Sequence, residues 1–488
     1  MFVGFEIHDR SLWVPERVLP LLPSLERWGY NALVLHENAL LDEVTQLGIT
    51  ANYGVSDLRL KKVRNRAAWL NRLVWELDRF GAKLFLEIKE PSFEDYALEL
   101  WPGLATGVTA PEWPTFCRTK VQDLLARVPG LGGIILNVSS PESRVSMPDE
   151  AAQGADVDRA LWFDAMISAF REPLEDAGKV LWVRDFSYTA DVQSDVLAAV
   201  ARAGVGASVK ITAHDYFPGY PENPVARGVK GPLILEFDAF GEHTGWDVIP
   251  NCRVAEFARR MAGVREMGAD GILVRTSWEA IAGANAMDGI AAVNVFALPR
   301  LFHAGVEPID LVAEWLQTAC DAANDSAVQA LLDSAEVPAA AYWGTKVFPR
   351  HSCLASSWQE AWLSMQSNGM GRRDRVVDVA SDDPLLALAD ASLARAEEAV
   401  GLAGHLSNFA GTVETFAGFA FLPAFARQFE IAQRGTLKAA LGQDAGAEAA
   451  ELERFADTLA ELWGLPDRGR VLLDPGQARR FAASLRGG

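Results

Sequence analysis

Short apolar runs alternate with longer amphipathic stretches from the first residue to about residue 300. The apolar runs are Phe2–Ile7, Ala32–His36, Lys83–Ile88, Gly133–Val138, Val180–Arg184, Ala207–Thr212, Leu233–Phe237 and Gly271–Arg275. Each is brief, rich in bulky and β-branched residues, and bounded by Gly, Pro or polar residues, which predicts a strand. Their nearly continuous apolar character suits a parallel sheet covered on both faces. Between them, apolar residues recur at helical spacing over Pro15–Trp28, Val63–Phe80, Phe116–Val128, Val157–Ala177, Asp191–Arg202 and Arg253–Met267. Eight strands alternating with helices predict a (β/α)8 TIM barrel over residues 1–300. A doubly wound open sheet gives the same alternation, but no phosphate-binding Gly-rich turn follows the first run.

Beyond Arg300 the strand pattern stops. Leu311–Ala323, Ser326–Ser334, Leu385–Val400, Phe416–Leu441 and Ala447–Trp463 carry helical periodicity, so residues 301–488 are expected to form a C-terminal α-helical domain. Pro423 should break or kink the fourth stretch near its start, and Pro338 and Pro349 punctuate the region. Asp383 in Ser381–Pro384 reads as a helix N-cap. The stretch 416–441 concentrates Phe416, Phe419, Phe421, Leu422, Phe425 and Phe429 in its first half. That is more apolar surface than one helix face needs. It is expected to pack on the barrel or on a second copy of the chain as a homodimer, burial within the tail being the alternative.

Composition narrows the function. A length of 488 residues exceeds one compact core, and the formal net charge of −20 leaves no cationic excess for a nucleic-acid partner. An anionic ligand would have to be received by local cations. Cys117, Cys252, Cys320 and Cys353 are scattered, with no CxxC and no zinc spacing, which favours reduced thiols. No apolar run is long enough to span a bilayer, and Met1–His8 shows neither a basic n-region nor an apolar h-region. A cytoplasmic protein without a membrane partner is the expectation. The 15 Trp residues offer flat apolar faces suited to sugar rings, although core burial accounts for Trp in most proteins.

Three acids stand just past strand-like runs: Glu142 after the fourth, Asp215 after the sixth and Glu242 after the seventh. A carboxyl group beyond the C-terminal end of a barrel strand lies where barrel enzymes hold their active sites. Carboxylates across one cleft supply the acid and the base or nucleophile of glycoside hydrolysis. Taken singly, Glu142 and Glu242 also read as solvated loop carboxylates, and Asp215 as the cap of the turn at Pro218–Pro221. Around Asp215, His214, Tyr216, Phe217 and Tyr220 form a candidate sugar-binding wall, while His243, Gly245 and Trp246 flank Glu242. Arg184, Lys210 and Arg275 place cations at strand ends, where an Arg fork can hold a substrate carboxylate or one of the acids. Glu236, within the seventh run, needs a cationic partner if it faces the barrel. Glu6, Glu37, Glu87 and Glu90, with His8 and His36, suggest a divalent-metal site only weakly, because they lack compact ligand spacing; acids that bind sugar hydroxyls are at least as good a reading, and no metal is assigned. P-loop, HExxH and GxSxG patterns in a suitable context are absent.

At these positions the chain resembles the catalytic barrel of the α-glucuronidases of glycoside hydrolase family 67. The segment Leu131–Glu142 is similar to that family's GG-apolar-KANSEG run, with Asn137 near the place of its Lys. Leu181-Trp182-Val-Arg184-Asp-Phe186-Ser-Tyr188 is similar to its WRaFvY run, Lys210–Asp215 to K-N-G-P-I-D, and Glu236–Gly245 to E-x-Q-x-x-Q-E-Y-x-G. The resemblance implies an inverting exo-glycosidase that needs no cofactor. Glu142 would be its general acid and Asp215 with Glu242 its base carboxylates. Arg184, Lys210, Trp182, Tyr216, His214 and His243 are the candidate ligands of an oligosaccharide substrate. A retaining hydrolase with Glu242 as nucleophile, and a glycan-binding barrel without chemistry, remain the alternatives.

Overall fold

The computed structural model describes residues 1–37, 40–47, 57–187, 189–213, 215–303, 305–320, 324–341, 353–367, 390–391, 394, 417–461 and 471–487. Eight parallel strands close into a barrel in chain order: β1 (Phe2–Ile7), β2 (Ala32–His36), β3 (Lys83–Lys89), β4 (Gly133–Asn137), β5 (Val180–Asp185), β6 (Gly206–Lys210), β7 (Leu233–Asp238) and β8 (Gly271–Arg275). Residue by residue, β1 pairs with both β2 and β8, with Glu6 opposite Val34 on one side and Arg275 on the other. This is the expected (β/α)8 barrel.

The crossover helices include α1 (Leu22–Trp28), α2 (Asp57–Asp78), α3 (Trp113–Arg127), α4 (Arg159–Asp176), α5 (Ala190–Ala203) and α6 (Val254–Glu266). The single helix expected over Pro15–Trp28 is three pieces, Pro15–Val18, a 3-10 turn at Leu19–Leu21, and α1. Pro20 and Pro23 each open a new segment, because proline lacks the N–H that a continuing helix would use. Among the described residues between β6 and β7, the crossover holds a 3-10 turn, Pro224–Gly228, and no α-helix.

Two compact units divide the chain. One holds Met1–Asp215, Pro221–Phe237 and Arg260–Ala284; the other holds Tyr216–Tyr220, Asp238–Arg259 and Asn285–Gly488. The second is helical: α7 (Ala292–His303), α8 (Pro308–Cys320), α9 (Asp325–Asp333), α10 (Trp358–Ser367), α11 (Leu422–Ala440), α12 (Gly446–Glu461) and α13 (Pro475–Arg486). Pro423 sits in the first turn of α11, after a 3-10 turn at Ala417–Phe421, so the break falls where the proline placed it. Phe419, Leu422, Phe425 and Phe429 are fully buried, and α11 packs against α10, α12 and α13 of its own unit. Most of Leu385–Val400, with Asp383, Pro349 and Phe416, lies outside the described residues. Cys117 and Cys252 are free and buried, and burial pushes the Cys252 thiol up to about 12. No helix among the described residues is long and apolar enough to cross a membrane.

Candidate active site

Strand side chains alternate between faces, so every second residue points into the barrel. The lower layer is apolar: Phe2, Ala32, Val34, Phe85, Ile135, Trp182, Ile234 and Leu273 form one buried cluster. Trp182 belongs here, which corrects its reading as a sugar ligand. Its ring is accommodated because Gly206 stands opposite in the register; a Cβ there would meet the indole at 2.2 Å. Large and small residues are matched across strands to fill the space.

Two residues further along β2, β3, β5, β7 and β8 the lining becomes ionisable, with His36, Glu87, Arg184, Glu236 and Arg275. Arg184 Nε donates to both oxygens of Glu236 at 3.0 and 2.9 Å, and Arg184 also pairs with Glu87. Ser208 Oγ donates to Glu236 at 2.7 Å. Glu236 thus finds the cationic partner that an inward-facing acid requires. Burial pushes the Glu87 carboxyl well above its usual range, with Arg184 opposing. His36 Nδ1 lies 2.9 Å from Glu6 and 3.3 Å from Glu87, and the His8 ring stacks on His36 at 3.8 Å. Burial first, then the surrounding cations, holds both imidazoles well below their ordinary value and therefore neutral.

Glu6, His8 and His36 offer three donor atoms within 4.8 Å of one another. Their geometry suits a hydrogen-bond network better than a cation. Both His8 nitrogens are engaged, Nδ1 by Arg275 at 3.0 Å and Nε2 by Glu279 at 3.1 Å. Two stacked rings also do not converge their in-plane lone pairs on one point, and Lys89, Arg184 and Arg275 bring positive charge close by. Glu90 is separate: with Asp42 it grips the buried Lys120, at 2.7 and 2.9 Å.

Above the ionic layer lie the loops. Ser139 N–H donates to Asn137 Oδ1 at 3.1 Å and Glu142 N–H to Ser140 Oγ at 3.1 Å, so side chains of the segment itself fold the turn after β4. The Glu142 carboxylate is gripped by Lys89 Nζ, whose side chain is only 3% exposed. Lys89 was not singled out in the sequence, although Phe85, Glu87 and Lys89 share the inward period of β3. It stands opposite Asn137 in the register. After β6, Lys210 Nζ binds Asp215 Oδ1 at 2.6 Å and Thr212 Oγ donates to the Asp215 carbonyl at 2.7 Å. One ring gathers the cations: Lys210 Nζ lies 4.3 Å from the Phe186 centroid, Lys89 Nζ 5.6 Å and the Arg184 guanidinium carbon 5.6 Å. Phe186 thereby brings the lysine partners of Glu142 and Asp215 to one place at the C-terminal end of the barrel. Arg184 is a partner of barrel acids, not an exposed carboxylate receptor.

The remaining expected residues belong to the second unit, apart from His214, which lies outside the described residues. Glu242 is 5% exposed, and its N–H donates to Asp238 Oδ2 at 2.7 Å. His243 packs on Phe217 at 4.1 Å between centroids, and Tyr216 is buried. Gly245 has φ +93° and a Cβ there would meet Ile249 at 2.4 Å, so both backbone and packing require glycine.

Asp185, at the end of β5, accepts a hydrogen bond from Gln193 of α5. Burial pushes its carboxyl up to about 6, with hydrogen bonds from Gln193 and Ser187 opposing. The folded chain therefore holds this proton more tightly than the unfolded one. Its stabilising share is complete below about 4 and is lost as pH rises through the raised value. Asp185→Asn should gain on the parent between those limits, by up to roughly 3 kcal/mol at pH 7. Urea unfolding at pH 4 and pH 7 measures this; an equal difference at both would contradict it.

No family model matches the chain, and no curated protein does. Solved structures do. A GH138 enzyme targeting pectin rhamnogalacturonan II superposes with a TM-score of 0.67 at 11% identity, over 98% of this chain and 62% of that one. The chain thus spans under two thirds of that enzyme's length. A mutant of the O-GlcNAc hydrolase of Thermobaculum terrenum superposes with a TM-score of 0.50 at 10% identity, over 99% of this chain and 93% of that one. At such identities the likeness establishes the fold. The barrel is one that glycoside hydrolases share.

Proposed function

We propose that the chain is a glycoside hydrolase, an α-glucuronidase-like inverting exo-glycosidase acting on oligosaccharides. The observation that carries the reading is the pairing around Phe186: two loop carboxylates, Glu142 and Asp215, each gripped by a strand-end lysine, with both lysines over one ring. Glu142 protonates the leaving oxygen, and Asp215 activates water. Glu242 is retained as the second base carboxylate on its place in the sequence after β7. The two fold relatives support glycan chemistry, one being described as targeting pectin and the other as an O-GlcNAc hydrolase.

Lys89 gives the uronate preference a mechanism. The position next to it in the register, Asn137, lies near the place where the family it resembles carries a lysine that has no counterpart in this sequence. A substrate carboxylate competing for the Lys89 ammonium would release Glu142 to carry the proton that the leaving group needs. Below this point Glu6 Oε2, His36 Nε2 and Glu87 Oε2 are buried with no hydrogen-bond partner among the described residues, which leaves room for water or a ligand to complete the layer.

A panel of aryl α-glycosides and uronate-capped oligosaccharides tests the reading. Faster release from uronosides than from neutral glycosides is expected. Turnover of neutral glycosides alone would remove the glucuronidase assignment and keep the hydrolase. Binding of every sugar without cleavage of any would leave a glycan-binding barrel.

A further inference from the structure

A second concave site lies on the same barrel unit, outside the Glu142 and Asp215 centre. It is a cavity of about 600 Å³ formed by residues that follow β1, β2 and β3, together with one face of α2. Arg10, Trp13, Glu43 and Glu94 follow β1, β2 and β3 as Glu142 and Asp215 follow β4 and β6, so both sites draw on segments past the C-terminal ends of barrel strands. Arg59, Lys62, Arg66 and Trp69 of α2 follow a spacing of three, four and three, which aligns them on one helical face. Arg10 and Trp13, just past β1, complete the wall.

Charge sets this cavity apart from the rest of the molecule. Four cations face two acids, Glu43 and Glu94, in a chain whose formal net charge is −20. Arg10 and Arg66 share Glu43, the second at 3.2 Å, and Arg59 Nε pairs with Glu94 at 2.8 Å. Lys62 is exposed and has no ion pair or hydrogen bond among the described residues. The acids therefore do not neutralise the cations, and the surplus faces the cavity.

The aromatic lining adds a second requirement. Arg66 lies 5.6 Å over the Trp13 ring, and Trp13 is buried to 3% exposure. The Trp69 indole N–H is buried with no hydrogen-bond partner among the described residues. Cations beside indole faces suit a ligand that is anionic at one group and flat and apolar elsewhere, as the ring faces of sugars are. The volume lies within the range that holds a small ligand of one to two rings.

We propose that this cavity binds a carboxylate-bearing sugar unit of a glycan chain, as an accessory subsite distinct from the catalytic acids. Assigning a glycan rather than another carboxylate ligand rests on the hydrolase reading above. One polymer lying along the C-terminal face would engage both sites, and the cavity would supply the local cations that an acidic chain needs to approach an acidic protein.

Isothermal titration of the full chain with a uronic-acid trisaccharide, a neutral trisaccharide and inorganic phosphate tests this, repeated with Lys62→Glu and Trp69→Phe. The uronic trisaccharide should bind best, weaken tenfold or more in Lys62→Glu and weaken measurably in Trp69→Phe. Both variants should keep the parent's unfolding midpoint and its turnover of a small aryl glycoside. Unchanged affinity in Lys62→Glu overturns the proposal, as does equal binding of the neutral trisaccharide. Phosphate binding as tightly as the uronide would reduce the cavity to a general anion site and overturn it too. If the parent hydrolyses no glycoside yet loses the uronide on Lys62→Glu, the hydrolase reading fails and this site stands.

Discussion

Glu142→Gln should lose hydrolysis of substrates with poor leaving groups by about a hundredfold to ten-thousandfold, the range that general acid catalysis supplies. Activated aryl glycosides should be nearly spared, because a departing phenolate with electron-withdrawing groups needs little protonation. The substitution keeps the size of the side chain and removes the proton donor. It also removes the charge that Lys89 grips, so the ammonium is left for the substrate. Steady-state rates on a series of aryl glycosides of graded leaving-group acidity read this out directly. A uniform loss across the series would point to a binding or positioning role for Glu142.

Arg184→Met should destabilise the barrel by about 3–5 kcal/mol, the cost of stranding buried charge by removing one partner. Glu87 and Glu236 are both 0% exposed and both depend on this guanidinium. Ser208 satisfies one oxygen of Glu236 and cannot supply the missing charge. A double variant, Arg184→Met with Glu236→Gln, should recover much of the loss, since the charge stranded on Glu236 is then gone while burial already favours the neutral form of Glu87. Urea unfolding measures both. A change in Arg184→Met of under about 1 kcal/mol would show the pair to be no stronger than an exposed salt bridge.

The barrel was legible because its strands are short, apolar and evenly punctuated, and the boundaries shift by only a residue or two at several strand ends, such as Lys89, Asp185 and Lys210. The need of Glu236 for a cation was legible from alternation alone. Trp182 was misplaced because what makes it a core residue is Gly206, on a different strand and over twenty positions away. Lys89 was overlooked although its period shows it facing inward, since its importance arises only when the β4 loop brings Glu142 to it. The last barrel helix was expected beyond Arg275 but could not be bounded, and α7 shows why: Ala292–Leu298 is buried without a break, leaving no polar face to reveal helical periodicity, and Pro299 interrupts the pattern. Phe186 entered the sequence reading only through resemblance. Its role as the ring that three cations approach depends on β3, β5 and β6 falling within one arc of the barrel, with β4 between the first two.

The central claim is that the lysine-held carboxylates at the C-terminal end of the barrel carry out hydrolysis, and Asp215→Asn tests it most directly. The variant keeps a side chain of the same shape beside Lys210 but cannot take a proton from water. Measured on the best uronoside from the panel, kcat should fall by about a hundredfold or more while KM changes little, as for a group that acts in the transition state. A variant that keeps the parent's kcat would contradict the assignment of this site to the chemistry.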